Sequence, residues 1–300
     1  MLACRPLMTV ILAFLAYIAV ALTASIVLAI AGGALLGPDA QPHKWTDETA
    51  QLVGLLTFVP FAFWLGMRSK RAFGYGLAVR PFVRTVVEGW VLGVVMLIPL
   101  GLVLIAMGVR PLDPDWDFGL RFVQKVFTAL IAGILVGLIE ETFFRGPVWT
   151  AIGRRSGTAV AIVVTSALYS ALHFIHFGPT AGSGNSIWAN AQAQIESFLL
   201  AYPHPVAPGS AVALFFAGVL LATYRAHEGN LARAIGIHAG WVFVIAILRD
   251  LTFHDRAGEY AHWVDAYNRV TGWFAAVWIG LLALALWIRV RKRIPARPEG

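Results

Sequence analysis

The sequence has few charged residues and almost no cysteine. Only 13% of its 300 side chains are charged, against about 25% in an average soluble domain. Hydrophobic residues make up 59% and the mean hydropathy is +0.74, so the chain has more apolar surface than one water-soluble core can bury. These values exclude a soluble globular protein and a disordered one. The single Cys4 cannot form an intrachain disulfide, so the fold does not depend on an oxidising compartment.

Apolar segments of membrane-spanning length fill most of the chain. A spanning helix needs about 20 mostly apolar residues, and eight segments approach that length. They are predicted at Met8–Leu36, Ala50–Met67, Val86–Met107, Phe122–Phe144, Thr158–Phe177, Ser210–Tyr224, Leu231–Leu248 and Trp273–Ile288. We therefore predict an all-α fold, a polytopic membrane helix bundle of about eight transmembrane helices. It forms one integral membrane domain, in which residues 1–108 supply additional N-terminal helices and residues 273–300 the last helix and a basic tail.

The basic residues indicate how the helices are oriented. The net charge is +7 and the pI is near 9.9, but Lys and Arg lie in short clusters between apolar blocks. This pattern favours a membrane orientation signal over a nucleic-acid surface. With the N-terminus inside, most Lys and Arg fall on inner segments, so both termini are predicted to be cytoplasmic. The connection Gly178–Gly209 contains neither residue and is predicted to face outward, with Trp188 and Phe198–Tyr202 at the interface.

Two adjacent acids followed by an arginine are the least expected feature of an apolar segment. Ionisable side chains inside a spanning helix cost about 2.5 to 3.5 kcal/mol each, so they indicate function unless a partner satisfies them. On a helix, Glu141 and Arg145 are four residues apart and can form an ion pair. Glu140 is rotated by about 100° from Glu141 and lacks that partner. The alternative is an acidic cluster at a helix end with Glu140 in solvent.

Two histidines lie on the following apolar segments. Tyr169 and His173 are four apart and share a helix face, whereas His176 is interpreted as a structural, interfacial residue. His238 is flanked by Gly236, Ala239 and Gly240, small residues that let a neighbouring helix approach and turn the imidazole into the bundle. Both histidines could instead be hydrogen-bonded packing residues. Counted from the predicted inner helix ends, Glu140 is roughly 6 Å deep and His238 about 10 Å, near the same level.

One acid and two imidazoles on three apolar helices permit activation of water. The Glu140 carboxylate would take a proton from water, and the imidazoles of His173 and His238 would orient a carbonyl group or stabilise its oxyanion. The same three side chains could alternatively bind a divalent metal such as Zn²⁺. The spacing of soluble metalloproteases is absent, because His227-Glu228 is followed by Gly-Asn-Leu rather than by x-x-His.

The order and spacing of these blocks resemble the CPBP intramembrane protease family, which contains CAAX prenyl endopeptidases and bacteriocin-processing proteins. The resemblance covers about residues 122–244, a predicted CPBP-like catalytic core. Glu140-Glu141-x3-Arg145 matches the Glu-Glu-x3-Arg signature, and Tyr169-x3-His173 matches Phe-x3-His with tyrosine in place of phenylalanine. The block that ends at His238-Ala-Gly-Trp241 resembles the family's His-x3-Asn, except that Val242 replaces the asparagine.

The resemblance implies a role for each of these residues. Glu140 would be the base that activates water, His173 would bind or polarise that water, and His238 would stabilise the oxyanion. The Glu141–Arg145 pair would hold the motif in shape. Val242 removes an amide that the family uses as an oxyanion donor, a loss that costs about 10²- to 10³-fold in rate. The enzyme is then slower, another donor such as the Trp241 indole substitutes, or proteolysis has been lost.

Three functions remain open from the sequence. The first is an intramembrane endopeptidase that hydrolyses a peptide bond of a membrane-anchored protein or peptide. The second is a non-catalytic membrane scaffold or immunity-type binding protein, which Val242 favours. The third is a proton-coupled transporter, because buried Glu and His also form proton relays, although no matched pair of broken helices is evident. In each case the partners are the lipid bilayer and a membrane-anchored protein or a solute, not nucleic acid, and the excess of Arg over Lys favours a bacterial inner membrane.

Overall fold

All regular structure in the described part of the chain is helical. The computed structural model describes residues 7–36, 42–174, 207–265 and 267–298. Its α-helices are α1 (Leu7–Leu36), α2 (Pro42–Trp64), α3 (Val79–Ala106), α4 (Leu120–Arg145), α5 (Pro147–Ser156), α6 (Thr158–Leu172), α7 (Pro208–Glu228), α8 (Ala232–Leu251) and α9 (Trp273–Val290). Short 3₁₀ turns follow at Ala261–Trp263 and Arg291–Arg293. The predicted all-α fold is confirmed.

Each of the eight predicted spans corresponds to a helix. Among the described residues, six segments are long and apolar enough to cross a membrane, and Leu52–Trp64 of α2 and helix α6 are shorter apolar helices. Many large apolar side chains point outward instead of into the protein, which requires lipid around them. On three helices they include Val87, Val91, Val95, Phe127, Ile131, Leu135, Val277, Leu281 and Leu284. The chain is a multi-pass membrane protein.

Helix α5 is a feature that the span analysis did not predict. It has ten residues, about half of what a bilayer crossing needs. Pro147 opens it at the first helical turn, where a missing N–H costs nothing. Gly157 ends it with a φ of +90°, a conformation that glycine adopts without strain. The prediction that Gly178–Gly209 faces outward concerns mostly residues outside the described ranges, as does the interpretation of His176.

The chain divides into two compact units. The first comprises Met1–Met67 and Ala171–Pro205, and the second comprises Arg68–Ser170 and Val206–Gly300. Within the first unit, α1 and α2 pair through aromatic contacts. The Tyr17 ring stacks on Phe61 with centroids 4.4 Å apart, and its hydroxyl donates to the Gly54 carbonyl at 2.5 Å. The single-domain partition expected from the sequence stays a prediction.

In the second unit, helix α8 lies between α3 and α4. A Cβ on Gly133 or Gly137 of α4 would lie 2.6 and 2.8 Å from backbone oxygens of α8. A Cβ on Gly236 or Gly240 of α8 would likewise lie too close to backbone oxygens of α3. Because glycine has no side chain, both neighbours approach α8 backbone to backbone. This close packing fixes the rotation of α8 and turns His238 inward, as its small flanking residues predict.

Candidate active site

The ion pair expected at the end of α4 is present and fully buried. Arg145 Nη1 donates to Glu141 Oε1 at 3.0 Å, and neither side chain is exposed. A charge pair in such a place must be held by further contacts, because desolvation offsets much of its attraction. The Tyr169 ring supplies one of them, since the Arg145 guanidinium lies 4.3 Å from its centroid. Phe144 packs edge-on against the same ring, with centroids 5.2 Å apart.

His238 joins the two adjacent acids. Its Nδ1 donates to Glu141 Oε1 at 2.9 Å, and its Nε2 lies 3.8 Å from Glu140 Oε2. The imidazole side chain is only 6% exposed, and its edge faces the Tyr169 ring. Glu141 therefore fixes the orientation of the imidazole, and the second ring nitrogen is directed at Glu140. The two side chains are therefore neighbours, and their depth in a membrane stays a prediction.

Glu140 differs from Glu141 in burial and in partners. Its side chain is 29% exposed, whereas that of Glu141 is fully buried. The Oε2 atom of Glu140, which faces His238, is itself buried. Glu140 is therefore neither wholly in solvent nor bound to Arg145. It is a carboxylate at the boundary between the protein interior and an accessible space.

The end of α4 is anchored by Arg225, whose structural role the sequence analysis did not identify. Arg225 Nε donates to the carbonyl oxygen of Arg145 at 3.1 Å, and Nη2 donates to that of Arg71 at 3.3 Å. The guanidinium also lies 4.8 Å from the centroid of the Trp149 ring. The last carbonyl groups of a helix have no hydrogen-bond donor within the helix. The buried Arg225 side chain supplies a donor for one of them, the carbonyl of Arg145. The signal in the sequence was an arginine at the end of an apolar run, just before His227 and Glu228.

The segment before α3 also contacts this helix end. The hydroxyl of Thr142 donates to the carbonyl oxygen of Leu138 at 2.5 Å and accepts a hydrogen bond from the Tyr75 hydroxyl. Burial raises the pKa of the Tyr75 phenol, and the negative charge of Glu141 adds to the increase. Thr150 of α5 binds the same segment through the carbonyl oxygen of Ala72. Helix α5 and the end of α4, which carries Glu140 and Glu141, are thus bound to the same segment.

Tyr267 is a neighbour of Glu140 that the sequence analysis missed. It lies in the loop between α8 and α9, and it interacts electrostatically with Glu140. Burial raises the pKa of Tyr267 to about 12, with a further contribution from the Glu140 charge. The loop is ordered by Asn268, whose Oδ1 accepts hydrogen bonds from the backbone N–H groups of Val270 and Thr271. A lone tyrosine outside residues 122–244 gave no sequence signal.

The remaining predicted residues have different positions. Trp241 is buried in a core cluster formed by α3, α7, α8 and α9, and its indole N–H has no hydrogen-bond partner in the described part of the chain. Val242 is half-buried, one helical turn after His238. His173 directly follows α6, is half-buried, and belongs to the first unit. The structure thus brings together Glu140, Glu141, Arg145, Tyr169 and His238, whereas the role of His173 stays a prediction.

Metal binding was the alternative use of this set of residues. Within the described ranges, no three His, Cys, Asp or Glu side chains are arranged so that they could hold a metal ion. The chemistry considered below therefore uses only the residues of the chain.

One of the comparisons with known proteins found a family match that spans this site. Residues 122–244 match a family model described as type II CAAX prenyl endopeptidase Rce1-like. That segment contains the five residues assembled here and His173. No curated protein and no solved structure matches the chain. The resemblance to the CAAX protease group that the motifs predict is therefore confirmed over residues 122–244.

Proposed function

We propose that this protein is an intramembrane endopeptidase that hydrolyses a peptide bond of a membrane-anchored protein or peptide. One observation carries the proposal: Nε2 of His238 and Oε2 of Glu140 face each other at 3.8 Å, while buried Glu141 fixes the opposite side of the imidazole. The family match supports the class of reaction. The substrate class follows from the family's description and from the membrane setting of the site.

Glu140 is the proposed general base. A distance of 3.8 Å is too long for a direct hydrogen bond, and Oε2 itself is buried, so we place the attacking water at the exposed part of the Glu140 side chain. The carboxylate would take a proton from that water while the oxygen attacks the carbonyl carbon of the substrate. The same carboxyl group would then return the proton to the leaving amine nitrogen. Its partial exposure lets water and substrate reach it.

His238 is the proposed oxyanion-stabilising group. With its Nδ1–H donated to Glu141, the neutral ring has its lone pair on Nε2, and the protonated ring donates from Nε2. Carboxylates on both sides balance the positive charge of the protonated form. The hydrogen bond to Glu141 keeps the ring orientation constant through the reaction, as a buried acid does in other catalytic sites. Val242 supplies no amide donor, so His238 carries more of this task, with the Tyr267 hydroxyl as a further neighbour of Glu140.

The decisive experiment compares two acids in the same cells. Strains that lack the gene would be complemented with the wild type, with Glu140→Gln or with Glu259→Gln. Glu259 is an exposed residue and serves as the control. New N-termini of membrane proteins would then be quantified. We expect Glu140→Gln to resemble the deletion and Glu259→Gln to resemble the wild type, with equal amounts of folded protein. Full processing by Glu140→Gln would refute the proposal.

A second set of variants tests His173 and the non-catalytic alternative. His173→Ala should also reduce processing if the family motif carries over to this position. If no product is found with the wild type, and a membrane partner is retained equally by the wild type, Glu140→Gln and His173→Ala, the protein is a scaffold. The cytoplasmic location of both termini and the bacterial inner membrane remain part of the proposal, and cysteine labelling from each side tests the orientation.

A further inference from the structure

A groove with one polar and one apolar end lies between α3, α7, α8 and α9, within the second unit. Its volume is about 440 Å³. The polar end is formed where α7 and α9 end, and it includes His227, Glu228, Arg233 and Arg289. Leu92 and Met96 of α3 and Leu282 and Leu286 of α9 line the apolar part. None of these side chains belongs to the candidate active site.

The two arginines at the polar end differ in their carboxylate partners. Arg233 pairs with Glu228, and it also lies 3.4 Å from Glu88. Across the described residues no carboxylate pairs with Arg289, although this arginine is close enough to interact electrostatically with Tyr224. The Nδ1 atom of His227 is buried and has no hydrogen-bond partner within the same residues. At the polar end, Arg233 is thus paired with carboxylates, whereas Arg289 has no such partner among the described residues and lines the groove beside His227.

The apolar part has walls of fixed helices. Trp278 of α9 donates its indole N–H to the Met96 carbonyl of α3 at 2.7 Å, which ties the two walls together. From Leu282 to Val290 helix α9 extends by about 12 Å, so the apolar surface continues from the helix end well into the hydrocarbon region. Water does not fill such a surface favourably. A molecule with an acyl chain and an anionic head matches both ends.

We propose that this groove binds an anionic phospholipid, with its phosphate at Arg289 and His227 and an acyl chain along Leu92, Met96, Leu282 and Leu286. Basic pockets between transmembrane helices recognise acidic headgroups in this way. A zwitterionic lipid such as phosphatidylcholine would bring a second cation next to Arg289 and bind less well. This site is independent of the protease function.

The headgroup contact is tested by native mass spectrometry of the delipidated full-length protein, titrated separately with phosphatidylglycerol and phosphatidylcholine. The wild type should retain phosphatidylglycerol more strongly. Arg289→Gln should weaken phosphatidylglycerol binding about fivefold, the effect of one basic residue near a headgroup. Arg291→Gln, which removes the same charge two residues later outside the groove, should leave binding unchanged.

The acyl contact is tested by filling the groove. Leu286→Trp should reduce binding, whereas Leu284→Trp, on the exposed lipid-facing side of the same helix, should not. Equal affinity for both lipids would overturn the proposal. Equal losses in Arg289→Gln and Arg291→Gln would also overturn it, because they would indicate a general surface field instead of a site. The proposal would also be overturned if Arg289→Gln and Leu286→Trp both bound phosphatidylglycerol as strongly as the wild type.

Discussion

The sharpest test of the site is the removal of one charge from the buried pair. In Glu141→Gln the side chain keeps its size and one acceptor oxygen but loses the negative charge that faces Arg145. Both side chains are fully buried, so water cannot replace the missing charge. Removing one partner of a buried ion pair costs about 3 to 5 kcal/mol, because the other charge is left uncompensated.

The structure indicates that little else would compensate Arg145. Its Nε and Nη2 atoms are buried without hydrogen-bond partners among the described residues, and the Tyr169 ring covers its guanidinium. For domains of comparable size, 1 kcal/mol corresponds to a shift in Tm of roughly 2 to 4 °C. We therefore expect Glu141→Gln to lower Tm by about 10 °C. It should also abolish cleavage, because His238 loses the carboxylate that orients it.

The assay is thermal unfolding in detergent, with the remaining folded protein measured by size-exclusion chromatography. All variants are heated by the same protocol, since unfolding of such proteins is often irreversible. Arg145→Gln and the double variant complete a thermodynamic cycle. If the pair is the cause, the double variant loses clearly less than the sum of the two single losses. Glu140→Gln is the matched control and should shift Tm by no more than about 2 °C. A Glu141→Gln protein as stable as Glu140→Gln, or fully additive single losses, would refute the reasoning.

Three further predictions concern packing, pH dependence and the helix end. Gly133→Ala should destabilise the protein because its Cβ would lie 2.6 Å from the Ala239 oxygen, whereas Gly101→Ala, with 3.6 Å of space, should be neutral or raise Tm. Because burial raises the pKa of Tyr267 to about 12, the folded state binds this proton more tightly than the unfolded chain, and stability falls between about pH 10 and 12. Tyr267→Phe should reduce that fall in Tm, and an unchanged pH dependence would contradict this assignment. Arg225→Lys keeps the charge but loses the guanidinium that donates to two carbonyl oxygens, so it should lower both Tm and cleavage. Wild-type values of Tm and cleavage would show that the charge alone suffices.

Much of the fold was predictable because it depends on local properties of the chain. A run of about 20 apolar residues specifies a spanning helix wherever it occurs, and each predicted span contains a helix in the described part of the chain. The ten-residue helix α5 was missed because its length carries no such signal. The Glu141–Arg145 pair was also predictable, since positions four apart always share a helix face.

The sequence by itself thus determined that the chain is a helical membrane protein, that Glu141 pairs with Arg145 and that residues 122–244 resemble CAAX proteases. Only the tertiary structure decided that His238 binds Glu141, across 97 positions, and presents its other nitrogen to Glu140. The reason is that contacts between helices depend on their rotation and depth, which the glycine contacts of α8 with α3 and α4 set. Helix periodicity fixes which residues share a face, but the face that meets a partner is selected by packing.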